Sequence, residues 1–229
     1  MNNIFNLIVI GGGHAGTEAA LAGKRLGLSV ALITLDASKS GRMSCNPAIG
    51  GIGKTHLARE IDAMGGYMAE ATDRAGIQFR TLNKKKGPAV QALRAQADKE
   101  IYEKSIQKKL AEDGVVVIED EVINFVIKKK KIQSAHGKKG EYKSEAFVLT
   151  TGTFLNGAIL IGNEKKEGGR IDEEKSSGLE EFFRNTGAKT GRLKTGTPPR
   201  LEKQSIDFNR LEAQPGDEDN MHMSFMGEK

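Results

Sequence analysis

Leu7-Ile8-Val9-Ile10-Gly11-Gly12-Gly13-His14-Ala15-Gly16 is the stretch whose reading decides the fold. Four apolar residues, two of them β-branched isoleucines and one a valine, are too short a run for a helix and read as a buried parallel strand. The glycines follow at once in the order G-x-G-x-x-G, with Gly11 and Gly13 as the first pair and Gly16 closing the motif. Thr17 to Leu26 is Ala-rich and reads as a helix stopped by Gly27. Strand, glycine turn and helix together form a dinucleotide-binding unit. Gly11 serves the tight turn, Gly13 lets the backbone approach a pyrophosphate, and Gly16 lets helix and strand pack closely. The open N–H groups at the helix start, with the positive end of its dipole, form an anion site.

Working outward, Ser29 to Ile33 supplies the second strand. The acidic residue that holds the adenosine ribose is expected about 20 residues past the first glycine. Thr34 stands there, with Asp36 two residues later, so either a hydroxyl or a carboxylate takes that role. The loop from Ser40 to Lys54 ends in Gly53-Lys54-Thr55 and imitates a P-loop. Ala48 stands where that motif requires glycine, and Cys45-Asn46-Pro47 stands where it requires a strand. The loop is read instead as a second backbone segment lying against the cofactor, leading into a helix over Thr55 to Met64 that Gly65-Gly66 ends. Cys45 has two readings: a small buried residue, or a thiol near a redox cofactor with basic neighbours Arg42 and Lys54.

Farther on, Ala69 to Leu82 begins helical and turns irregular, and Gly87-Pro88 breaks the chain. Gln91 to Leu110 reads as one long amphipathic helix. Lys84 to Lys86 are either a solvated turn or a phosphate-contacting patch with Arg80 and Arg94. Val115 to Ile118 is a third parallel strand. Val122 to Ile127, Ile132 to His136 and Glu141 to Lys143 form a β-meander, with Lys128 to Lys131 as an exposed turn. Ala146 to Thr153 returns as a buried strand ending in Thr-Gly. The expected fold class is therefore α/β: a Rossmann-like FAD-binding domain of the two-dinucleotide-binding flavoprotein type, with a β-meander, incomplete at its C-terminus.

Composition narrows the class. The chain has 229 residues, 38% hydrophobic and 28% charged, which suits an ordinary globular protein of one large or two small domains. No apolar run approaches the ~20 residues of a membrane span, and the start lacks a basic n-region, so neither a membrane anchor nor a signal peptide is expected. A single cysteine excludes an internal disulfide and suits the reducing cytoplasm. No metal site is expected. The net charge of +5 is compatible with nucleic acid but does not require it.

The blocks Gly11 to Ala20, Met43 to Lys54, Gly76-Ile77-Gln78-Phe79-Arg80, Lys86 to Val90, Arg94 to Asp98 and Gly191 to Arg200 resemble, in order, the GidA/MnmG family of tRNA uridine 5-carboxymethylaminomethyl modification enzymes. The resemblance implies a bound FAD, NADH as reductant, methylene-tetrahydrofolate as one-carbon donor, and a product modified at carbon 5 of the wobble uridine of tRNA. It also implies a homodimer and a heterotetramer with an MnmE-type GTPase. FAD contacts carried over by position fall on Gly11, Gly12, Gly13, His14, Ala15 and Gly16, and on Val122 and Ser176. Cys45 matches a cysteine in the family's flavin-side loop and is the candidate catalytic residue. Family members are much longer, so the chain is expected to be an N-terminal portion: residues 1–200 the FAD-binding domain, 201–229 the beginning of an inserted NADH-binding domain, inactive alone. Two other readings stand beside this one. The folate- and FAD-dependent tRNA uridine methyltransferases share the glycine loop, though Ser44-Cys45-Asn46-Pro47 favours the first family. The third is a non-catalytic dinucleotide- or RNA-binding module.

Overall fold

The structure is a computed structural model that describes residues 4–44, 46–152, 155–169, 178–194, 196, 199, 201–217 and 221–227. The glycine motif sits where expected, between strand β1 (Ile4–Ile10) and helix α1 (His14–Arg25). Gly27 ends α1 at φ +78°, its N–H bonded to the Lys24 carbonyl, a left-handed stop that glycine takes without strain. Strand β2 (Val30–Thr34) lies parallel to β1.

The chain then leaves the first sheet. Strand β3 (Ala48–Gly50), helix α2 (Thr55–Ala63), helix α3 (Met68–Ala75), strand β4 (Gly76–Leu82) and strand β5 (Ala92–Ala97) build a second unit, an antiparallel sheet of order β3-β5-β4. Helix α4 (Lys99–Glu112) returns to β6 (Val116–Glu119), parallel to β2. Strands β7 (Val122–Lys128), β8 (Lys131–Gly137) and β9 (Glu141–Leu149) follow, giving one six-stranded sheet of order β6-β2-β1-β9-β8-β7. A hairpin of β10 (Ala158–Ile161) and β11 (Glu164–Glu167) and helix α5 (Leu179–Asn185) complete the strands and α-helices among the described residues.

Alternation along β1 explains the layering. Leu7 and Val9 face a core with Leu21 of α1 and Ile106 and Leu110 of α4. Ile8 and Ile10 face the opposite core, with Phe125 and Tyr142 of the meander and Leu179 of α5. Ile8 and Val9 are fully buried, and full burial of such a side chain stabilises the fold by about 1.5–3 kcal/mol. Helix α1 approaches the sheet closely at Gly23, where a Cβ would come 2.7 Å from Leu7 and 2.9 Å from Val30.

Two expectations are corrected. Gln91 to Leu110 is not one helix: Ala92 to Ala97 is a strand. Alanine, leucine, arginine and glutamine favour helix locally, but Leu93, Ala95 and Ala97 alternate into the core while Arg94 and Gln96 point away. Tertiary pairing overrides the propensity. Asp98 then starts α4 as its N-cap, its carboxylate accepting from Glu100 N at 2.9 Å and Ile101 N at 3.0 Å. Likewise the irregular half of Ala69 to Leu82 is β4.

The third meander strand and the returning strand are also one element. In β9, Glu141 to Lys143 pairs antiparallel with β8, and Lys143 to Leu149 pairs parallel with β1. Its last part is half-exposed rather than buried, with Val148 36% exposed.

Candidate dinucleotide site

The carboxyl ends of β1, β2 and β9 meet at the glycine turn, the edge at which open α/β sheets bind ligands. Gly11 adopts φ +110°, and a Cβ there would stand 2.3 Å from the Thr150 carbonyl oxygen. A Cβ on Gly16 would stand 1.8 Å from the Gly11 carbonyl oxygen. Both glycines are thus demanded by the chain itself. Thr150, just past β9, closes the arrangement: its N–H donates to the Ile10 carbonyl at 2.8 Å, and its hydroxyl reaches the Ile10 and Gly11 carbonyls at 2.9 and 3.0 Å.

Gly13 is different. It is exposed, takes φ −75° as the N-cap of α1, and a Cβ there would meet nothing within 4 Å. Among the described residues no atom, and no backbone torsion, asks for glycine at this position. The open space lies directly ahead of the helix N-terminus, where the first-turn N–H groups have no acceptor within the helix. No side chain caps that end and no acidic residue occupies its first turn, so the positive end of the dipole is left for an anion. Ala15 is exposed on the same turn.

Gly12 forms the side wall. Its carbonyl accepts from Gly41 N at 2.8 Å, and a Cβ would come 2.7 Å from the Thr34 hydroxyl and 3.3 Å from that of Ser40. The Ser40 hydroxyl is buried and has no hydrogen-bond partner among the described residues. A buried hydroxyl left unpaired costs roughly 1–3 kcal/mol, so this one is a donor in want of an acceptor beside the loop. A bare glycine, an open helix end and an orphaned hydroxyl fit the phosphates of a dinucleotide.

Asp36 is engaged in its own short 3-10 turn, Oδ1 accepting from Ser38 N at 2.9 Å and Oδ2 pairing with Lys39 at 3.0 Å. The Ser38 hydroxyl, which donates to the same carboxylate, and then Lys39 hold its carboxyl below the usual range. Thr34, at the end of β2, keeps its hydroxyl at the glycine wall.

His14 lies edge-on to Tyr102 of α4, with ring centroids 5.5 Å apart and the phenol oxygen 3.4 Å from Nδ1. Burial drives the Tyr102 phenol well above its ordinary value, so it stays protonated. Val122 is 3% exposed and packs in the meander core, which leaves only its main chain to offer a ligand. The turn before it does reach the site: Asp120 N donates to the Thr34 carbonyl at 2.9 Å. Cys45 and Ser176 lie outside the described residues.

The P-loop imitation is disposed of by geometry. Its Thr55 hydroxyl bonds to the Leu93 carbonyl and to Gly51, and the strand before it, β3, is antiparallel to its neighbour. Among the described residues no group of three His, Cys, Asp or Glu could hold a metal ion, and no helix is long and apolar enough to cross a membrane. Sequence reasoning missed Ser40 and the reach of Thr150 across the sheet, since both act only through long-range pairing. The Thr-Gly end of β9 was the available signal for the latter.

A glycine turn between parallel strands, backed by a meander on the same sheet, defines a dinucleotide-binding protein of the flavoprotein type. Residues 6–229 match the family described as glucose inhibited division protein A, and the chain belongs to that family. It is 50% identical over 228 residues to a curated tRNA uridine 5-carboxymethylaminomethyl modification enzyme MnmG of Sulfurihydrogenibium sp. (strain YO3AOP1), covering 98% of this chain and 37% of that protein. The crystal structure of Aquifex aeolicus GidA superposes with a TM-score of 0.93 at 47% identity, over 99% of this chain and 38% of that one. A GidA-related protein from Thermus thermophilus shares the fold at 16% identity and TM-score 0.58, over 80% of this chain and 68% of that one. The chain therefore spans little more than a third of the length of the relatives it matches at near 50% identity.

Proposed function

We propose that this chain binds FAD at the first glycine turn and forms the flavin-binding portion of a tRNA-modifying enzyme that builds the carboxymethylaminomethyl group on carbon 5 of the wobble uridine. The observation that carries the reading is Gly13: a residue bare of side chain, with no described residue requiring it, at the mouth of an uncapped helix. The relatives' function supplies the reaction.

In this reading the α1 N-terminus and the Ser40 hydroxyl bind the pyrophosphate, and Thr34 holds the adenosine ribose. The dipole contributes only about 0.3–1 kcal/mol, so shape and hydrogen bonds supply most of the affinity. Thr150 keeps Gly11 and Gly16 in register so that the turn cannot fill with side chain. The main chain at Val122 lies along the adenosine side, and Ser176 is retained as a cofactor contact by position. FAD, when bound, supplies the redox chemistry that links NADH to the methylene-tetrahydrofolate one-carbon unit. The protein's share is to bind, orient and exclude water, with Cys45 the candidate for direct contact with the reacting groups.

The wider assignment follows the family: a cytoplasmic protein, a homodimer, assembling with an MnmE-type GTPase and acting on tRNA. Residues 1–200 are assigned to the flavin domain and 201–229 to the start of an inserted NADH-binding domain. Part of that last stretch folds back: Met223 is fully buried in the main core, and Asp73 accepts from Met223 N and Ser224 N at 2.6 and 2.9 Å. Flavin absorbance of the purified chain, loaded with FAD and then desalted, tests the assignment. A retained flavin band supports it; a chain that takes up NAD or ATP but no FAD overturns it.

A further inference from the structure

The three-stranded sheet turns one face away from the core. Leu93, Ala95 and Ala97 of β5 point into the core, so Arg94 and Gln96 point the other way. The register of β4 sets Arg80 directly opposite Arg94 and Gln78 opposite Gln96, while β3 sets Gly50 and Ala48 opposite the same two residues. Side chains opposite each other in an antiparallel pair share a face, and like charges there repel. Arg80 donates to the neutral Gln214 amide oxygen at 2.8 Å and Arg94 to that of Asn46 at 3.5 Å. Among the described residues no carboxylate lies within ion-pairing distance of either guanidinium.

The β4–β5 connection adds charge beside them. Lys84, Lys85 and Lys86 are exposed on a loop that its own amides brace: Asn83 Nδ2 donates to the Val90 carbonyl at 3.1 Å and Gln91 Nε2 to that of Lys86 at 2.9 Å. Asp217 takes Lys84 at 2.8 Å, leaving Lys85 and Lys86 without a carboxylate among the described residues. Four cations therefore border a patch floored by glycine, alanine and glutamine amides, with Gln214 seated on its β4 side, where its main-chain carbonyl accepts from Gln78 Nε2 at 2.9 Å. Guanidinium forks match phosphate oxygens in pairs. The patch also adjoins the cofactor approach, because Asn46 beside Arg94 belongs to the loop that begins where Gly41 bonds to Gly12.

We propose that this outer face of the β3-β5-β4 sheet, centred on Arg80 and Arg94 and extended by Lys85 and Lys86, binds the phosphate backbone of the substrate RNA. The identity of that RNA rests on the proposed function; the anionic chemistry does not. Phosphate contacts position a nucleic acid without reading its sequence, and the adjoining loop carries Cys45. The Lys128–Lys131 turn between β7 and β8 is the contrast: it carries four lysines, one more than the Lys84–Lys86 loop, but as an isolated exposed turn.

The test is fluorescence anisotropy of a labelled, unmodified tRNA transcript titrated with the 229-residue chain between about 50 and 200 mM salt. The Arg80→Gln/Arg94→Gln variant is expected to bind about tenfold or more weakly. Its log–log salt slope should fall by roughly 1.4–1.8, or 0.7–0.9 for each lost phosphate contact. Arg80→Lys/Arg94→Lys should keep most of the slope, and Lys128→Gln/Lys131→Gln should bind like the wild type. Each single glutamine variant should lose about half the slope change, which decides the matter if the double variant does not fold. Equal losses from the arginine pair and the lysine turn would show generic charge and overturn the proposal. So would unchanged RNA binding by the glutamine variants, or loss of FAD with RNA binding intact. RNA binding through these arginines by a chain that takes up no FAD would remove the flavin reading and leave this one standing.

Discussion

The Thr150 hydroxyl donates to the Gly11 carbonyl at 3.0 Å, across 139 residues of chain. A Cβ on Gly16 would meet that same carbonyl at 1.8 Å and the Thr150 hydroxyl at 2.7 Å. The first and third glycines and the Thr-Gly strand end are therefore one packed cluster. Thr150→Val keeps the shape and removes the donor. It is expected to cost about 1–2 kcal/mol, from carbonyls losing a buried partner, seen as a lower denaturation midpoint, and to weaken FAD binding through a looser turn.

The glycines separate by the same geometry. Gly16→Ala forces a methyl against a backbone carbonyl and is expected to destabilise the ligand-free chain by about 3 kcal/mol. Gly13→Ala meets no atom and needs no unusual torsion, so it should cost no more than about 1 kcal/mol, from the poorer N-cap. Urea unfolding of the two variants without FAD checks the contrast, and equal destabilisation would contradict it.

Glu18 of α1 caps α3 from outside: its carboxylate accepts from Tyr67 N at 2.9 Å and also from Met68 N. Burial raises its pKa and outweighs the lowering by those backbone bonds. A carboxyl with a raised folded value binds its proton more readily folded than unfolded. Stability from this group is therefore greatest when it is protonated and falls as pH rises from the ordinary glutamate value through the raised one. Glu18→Gln should remove that portion of the slope while its amide oxygen still caps α3. Unfolding free energies across pH 4 to 7 (about the carboxylate range) give the comparison.

Cys45 is expected to label with a thiol reagent in the FAD-free chain and to be protected when FAD is bound, as a residue of the cofactor loop. A thiol inert in both states would place it in the core instead.

The parts of the fold legible in the sequence were those held by local rules. Val9 and Ile10 running into Gly11, the Gly27 stop and the Thr55 helix start each combine a hydrophobic period with a backbone requirement inside a few residues. Ala92 to Ala97 was not legible as a strand, since its alanines carry helix propensity and only pairing with Gly76 to Leu82 makes it extended. The meander was readable as strands, but its fusion with the β1 partner depends on Lys143 pairing with both Ser134 and Ile4. At the site, the glycines announced themselves. Ser40 did not, because a serine in a polar loop looks solvated until the fold buries it.

The most direct measurement is the quenching of FAD fluorescence on titration with the wild-type chain and with Gly13→Ala, both first shown to be folded. The account predicts saturable binding by the wild type and a sharp loss in the variant, whose methyl would occupy the space ahead of the α1 N-terminus. FAD binding of equal strength by both proteins would take the pyrophosphate away from Gly13 and contradict the account.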